Sequence, residues 1–174
     1  MTWLRELFVA LLAISVAGCS PAFDWREFTA DGKGLVTKFP CRPDRSARAV
    51  VLAGSTVRME MLFCAAGGVT FGLGFLDIAD PAQVTAAVDE LRRAVLANVQ
   101  GAQPRLAPLQ VIGMTPNALA QQLAVIGRLP DGKVVQVHAA FFVKGLRVYQ
   151  ATVISDDPSP PVVEVFFGGM KFAP

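Results

Sequence analysis

The chain reads as an α+β protein, an antiparallel sheet with helices packed on its faces. Three observations predict this. Several runs alternate apolar and polar residues between turn signals, among them Thr56 to Phe63, Lys133 to Val143 and Leu146 to Ile154. One segment, from Asp80 to Val99, repeats apolar residues at helical spacing instead. Apolar residues make up 53% of the 174, enough for a well-formed core.

The first eighteen residues have the parts of an export signal: Arg5, an apolar run from Leu7 to Ile14, then small residues. The run falls well short of the roughly 20 apolar residues that span a bilayer as a helix. It ends in Val16-Ala17-Gly18-Cys19, a lipobox, where a thiol nucleophile takes a diacylglyceryl group and the preceding peptide is removed. The alternative is an ordinary secretory signal with an incidental Cys19. Residues 1–18 are therefore expected to be a lipoprotein signal peptide with a signal helix, 19–24 a short tether and 25–174 one domain. Each acyl CH₂ buried adds about 0.8 kcal/mol, so two or three chains fasten the protein to a membrane. Extended, the five residues from Ser20 to Asp24 reach less than about 20 Å, which keeps the domain close to the bilayer.

Trp25 to Phe28 is the first strand, Asp31-Gly32-Lys33-Gly34 a turn, and Leu35 to Phe39 the second strand. Pro40 and Pro43 end it, and Arg42 to Arg48, the densest basic stretch, is expected to be a solvated loop. Thr56 to Phe63 places Val57, Met59, Met61 and Phe63 on one face, and Ala65 to Gly68 turns the chain into Val69 to Phe75. Gly72 and Gly74 leave one face of that strand bare, so something is expected to pack close against it. Asp80 suits a helix N-cap, Pro81 the first turn, and Gln83 a capping box. Val84, Val88, Leu91, Val95 and Val99 form the apolar stripe, with Asn98 and Gly101 as the stop. Leu106 to Ile112 is short and proline-broken, an edge strand. Gln121 to Leu129, Lys133 to Val143 and Leu146 to Ile154 form an antiparallel meander, turned by Pro130-Asp131-Gly132 and Lys144-Gly145. Val162 to Phe167 is expected as a second short helix and Met170 to Phe172 as a last strand or cap.

The net charge of +2, scattered along the chain, leaves no nucleic-acid footprint. With Cys19 acylated, Cys41 and Cys64 remain. They are either bridged or two buried thiols, and an envelope location favours the bridge. No nucleophile elbow, zinc-binding His-Glu-x-x-His or phosphate loop is present, so no catalytic, metal or cofactor residue is assigned and no cofactor is expected. His138, the only histidine, is expected at or near the surface, and Tyr149 in the core with its hydroxyl satisfied.

Several local patterns occur in order: Gly34 to Pro40, Thr70 to Asp77, Leu96 to Gly101, Asp131 to Lys133, Phe141 to Gln150 and Phe166 to Phe172. Together they resemble small envelope and thylakoid-lumen domains of the PsbP-like fold, and Phe39 to Asp44 is similar to a run in uncharacterised proteobacterial lipoproteins. The resemblance implies an α/β/α sandwich and a non-catalytic binding or assembly module. The pair Gly168-Gly169 departs from the usual pattern and puts the last strand in doubt. The expectation is a lipid-anchored, periplasm-facing envelope protein, on the outer rather than the inner membrane because Ser20 follows Cys19, with an envelope protein as partner. An envelope enzyme with a dispersed site around His138, or a carrier of a small apolar ligand beside Gly72 and Gly74, are the alternatives.

Overall fold

The computed structural model describes residues 22–173. The expected signal peptide and Cys19 lie outside the described residues.

Two antiparallel sheets and two helices make up an α+β fold. The small sheet holds β1 (Arg26–Thr29), β2 (Leu35–Phe39) and β10 (Lys171–Phe172), in the order β1-β2-β10. The large sheet is built from β3 (Asp44–Leu52), β4 (Ser55–Ala66), β5 (Val69–Asp77), β6 (Arg105–Pro108), β7 (Gln121–Arg128), β8 (Val134–Lys144) and β9 (Arg147–Ser155). Its order is β3-β4-β5-β9-β8-β7-β6. Two meanders therefore meet at its centre, where β5 and β9 pair from Thr70↔Ile154 to Asp77↔Arg147. Helix α1 (Val84–Asn98) carries the chain from the first meander to the second, and α2 (Pro160–Gly168) follows β9.

Each face of the large sheet is buried against a different layer. Val84, Ala87, Val88, Leu91 and Val95 of α1 cover one face, meeting Val135, Val137, Ala139, Phe141 and Val143 of β8. The expected stripe is buried throughout, down to Val99. The other face, with Phe71, Leu73 and Phe75 of β5 and Tyr149, Ala151 and Val153 of β9, is covered by the small sheet and α2. There the Phe166 ring lies 5.3 Å from those of Phe39 and Phe71, a pairing that adds about 1 kcal/mol beyond its buried area.

Three local expectations are corrected. Asp44–Leu52 is a full edge strand, where Arg42 to Arg48 was expected to be a loop. Its side chains are mostly exposed on both faces, so no apolar alternation marks it. Asp80 caps a single 3₁₀ turn, Pro81–Gln83, by accepting from the Ala82 amide, and Gln83 forms no capping box. Helix α1 ends in a Schellman arrangement in which Gln100, at φ 47°, takes the left-handed position expected of Gly101. The Gly101 amide donates to Leu96 O at 2.9 Å and that of Gln100 to Ala97 O at 3.1 Å. Phe63 shares its face of β4 with Val57, Met59 and Met61 as expected, and is 40% exposed there. The last strand is present despite Gly168-Gly169, with Phe172 paired to Leu35.

Close approach explains one glycine outright. A Cβ on Gly127 would collide with the Val99 carbonyl oxygen, and that oxygen accepts from the Arg128 amide at 2.5 Å. Only a glycine lets the end of α1 dock on β7 this closely.

Candidate functional site

Asp31 starts the turn between β1 and β2. Its Oδ1 accepts from the Lys33 amide at 2.8 Å and the Leu35 amide at 3.2 Å, which draws the carboxylate inward. The side chain is fully buried. Its Oδ2 accepts from the Tyr149 hydroxyl and lies 3.4 Å from Arg147 Nη1. Tyr149 and Arg147 are two residues apart on β9 and so share a face. Arg147 grips Asp77 of β5 with two bonds, Nε to Oδ1 at 2.8 Å and Nη2 to Oδ2 at 2.6 Å. It also donates to Asp31 O at 3.1 Å and lies 5.1 Å over the Phe75 ring. Lys33 Nζ, 3.2 Å from Asp77, completes the cluster.

The electrostatics follow from this geometry. Burial pushes the Asp31 carboxyl up, and the Tyr149 hydroxyl, two amides and Arg147 together bring it below the ordinary carboxylate range. Arg147, then Lys33, hold Asp77 below that range against a smaller effect of burial. Burial and the hydrogen bond to Asp31 push Tyr149 upward, keeping it protonated. Asp77 likewise holds Arg147 in its charged form. Asp31 stays ionised, Tyr149 neutral and Arg147 charged near neutral pH, so the cluster acts as a clasp joining the β1–β2 turn to β5 and β9.

Beside the clasp, Thr56, Arg58, Glu60, Phe75, Asp77 and Arg147 line a groove of about 350 Å³. Glu60 is bound there by Arg45 at 3.0 Å, and Arg45 donates to Ala30 O at 2.8 Å. A second groove, of about 280 Å³, crosses β6, β7 and β8 over Ala124 and Ile126, with Arg105, Gln136 and His138 on its walls. His138 is half-buried, and burial lowers its pKa, which keeps the ring neutral at pH 7. The lining of this groove contains no carboxylate to orient the imidazole as a general base.

The other sequence-marked positions have plain structural roles. Cys41 and Cys64 are bridged, with Cα atoms 6.1 Å apart, tying the segment after β2 to β4 and thus the small sheet to the large one. The bare face at Gly72 and Gly74 is filled by neighbouring strands: a Cβ on Gly72 would lie 2.8 Å from Thr152 Oγ1, and one on Gly74 would overlap Met59 Cε. Trp25 packs edge-on to Phe71 at 5.6 Å, as a residue of the core margin. Among the described residues, no three His, Cys, Asp or Glu side chains come together to hold a metal ion. No described helix is long and apolar enough to cross a membrane.

The clasp escaped sequence reasoning because its members are scattered: 118 positions separate Asp31 from Tyr149 and 70 separate Asp77 from Arg147. The one available signal was the i, i+2 pairing of Arg147 with Tyr149 in an otherwise apolar strand.

No protein-family model matches the chain, and no curated protein matches it in sequence.

Proposed function

We propose that this chain is a lipid-anchored protein of the bacterial envelope, facing the periplasm, with a PsbP-like α/β/α domain that binds or assembles with a partner. The Cys41–Cys64 disulfide carries the reading, since such bonds persist in oxidising compartments and the lipobox at Cys19 directs the chain to one. The placing of one helix against each face of the large sheet supports the sandwich. The short stretch between Cys19 and Phe23, whose ring is 6.2 Å from that of Phe71, supports a domain held against the bilayer. The mutual satisfaction of Asp31, Tyr149, Arg147 and Asp77 supports a binding role over a catalytic one.

Fractionation combined with intact mass of the detergent-extracted protein tests it. The expected mass is that of a chain starting at Cys19 plus its acyl groups, less two hydrogens for the disulfide. Cys19→Ser should leave the membrane fraction. A cytosolic chain that retains Met1 and two free thiols overturns the placement. Crosslinking in native membranes that returns only monomer overturns the partner.

A further inference from the structure

The two edges of the large sheet differ. β6 has four residues and ends in Pro108, which has no amide hydrogen to donate. β3 has nine residues and no proline, about 30 Å of open edge. Ala53 and Gly54, at φ 48° and 73°, make the two-residue turn to β4, and Leu52 and Ser55 close it. In such a hairpin the closing pair exchanges both backbone hydrogen bonds and every second pair does the same. The pairs Val51↔Thr56, Ala49↔Arg58, Ala47↔Glu60 and Arg45↔Leu62 are then the unbonded ones. The amides and carbonyls of Arg45, Ala47, Ala49 and Val51 accordingly point away from the sheet. Two of these residues carry only a methyl group, and Val51 is 76% exposed, so little shields the row.

Charge selects what would pair there. From Arg42 to Glu60 the hairpin carries four arginines, Arg42, Arg45, Arg48 and Arg58, against two carboxylates, Asp44 and Glu60. Arg45 is paired with Glu60, whereas Arg48 and Arg58 form no ion pair among the described residues. Arg58 lies in register with Ala49 and Arg48 with Met59, so the two cations stand on opposite faces of the sheet beside one stretch of edge. A second copy added at this edge would set arginines against arginines.

We propose that β3 receives an extended, acidic segment of a partner protein as an eighth strand, with main-chain bonds at Arg45, Ala47, Ala49 and Val51. Alternate carboxylates of that segment meet Arg58 on one face and Arg48 on the other. This names the partner chemistry of the binding module proposed above and rests on that reading.

The test uses the full chain in mild detergent with a nine-residue peptide that repeats Glu-Glu-Val-Val, which sets glutamates on both faces of an extended strand, and a lysine counterpart. Binding is followed by fluorescence polarisation and backbone hydrogen exchange. The glutamate peptide should bind at least about tenfold more tightly than the lysine one and slow exchange at those four amides. Ala49→Pro, which removes one outward amide, should weaken it about tenfold. The surface change R48E with R58E should reverse the charge preference without touching the core. Equal binding of both peptides, or protection confined to other strands, overturns the proposal. Edge protection that rises with protein concentration in the absence of peptide also overturns it, in favour of a second copy. None of these readouts depends on the anchor, so failure here and failure of fractionation are separate results.

Discussion

Replacing Tyr149 with Phe removes one oxygen and leaves the rest of a fully buried ring in place, including its stack on Phe142 at 4.8 Å. What disappears is the hydroxyl donated to Asp31, whose carboxylate is itself fully buried. A hydrogen bond to a charged group contributes about 1.5–3 kcal/mol, and the carboxylate keeps two amides and Arg147, so a loss of about 2 kcal/mol is expected at pH 7. For a domain of this size that lowers Tm by roughly 4–8 °C. The sign of the pH dependence follows from Asp31, whose folded pKa is depressed. Its stabilisation is fully present above the unfolded carboxyl pKa and is lost as pH falls through the folded value. Tyr149→Phe lets that folded value rise toward the ordinary range, so the gap between wild type and variant narrows on acidification below about pH 4. Urea unfolding at pH 7 and at stepped lower pH measures both quantities. An unchanged midpoint at pH 7, or a gap that holds constant into acid, refutes the clasp.

Three further outcomes follow from the geometry. Replacing both Cys41 and Cys64 by Ala, which opens a link across 23 positions, should lower stability by about 3 kcal/mol in the chain-entropy treatment; urea midpoints with and without reductant check it. Gly127→Ala should lose about 1–3 kcal/mol through collision with Val99 O. Gly132→Ala, at φ 89° with open space around its Cβ position, should lose about 1 kcal/mol from backbone strain alone, so the two melts should rank in that order. The single His138 should titrate by NMR below the ordinary histidine value, because burial disfavours its charged form. A value at or above 6.5 would place the ring in a polar setting that its groove does not provide.

The elements legible in the sequence were those with a clear period. Helix α1 was readable from Val84, Val88, Leu91, Val95 and Val99, because a stripe at that spacing has one way to be buried. The β7–β8–β9 meander was readable from the alternation Val135, Val137, Ala139, Phe141 and Val143 with Gly at its turns. β3 was not, since an edge strand with exposed faces carries no apolar period. The pairing of Cys41 with Cys64 was one of two alternatives until the hairpin β3–β4 brought the thiols together.

Local order along the chain thus came from the sequence: where strands turn, which face of the helix is apolar, and that Asp31 begins a turn. Tertiary structure alone decided which distant residues share a site. The second meander returns to set β9 against β5, and only then do Arg147 and Tyr149 reach Asp77 and Asp31. Period reports how one segment meets solvent and core, whereas strand order is set by packing the whole chain, so the open edge at β3 has no local signature and the clasp only the spacing of Arg147 and Tyr149.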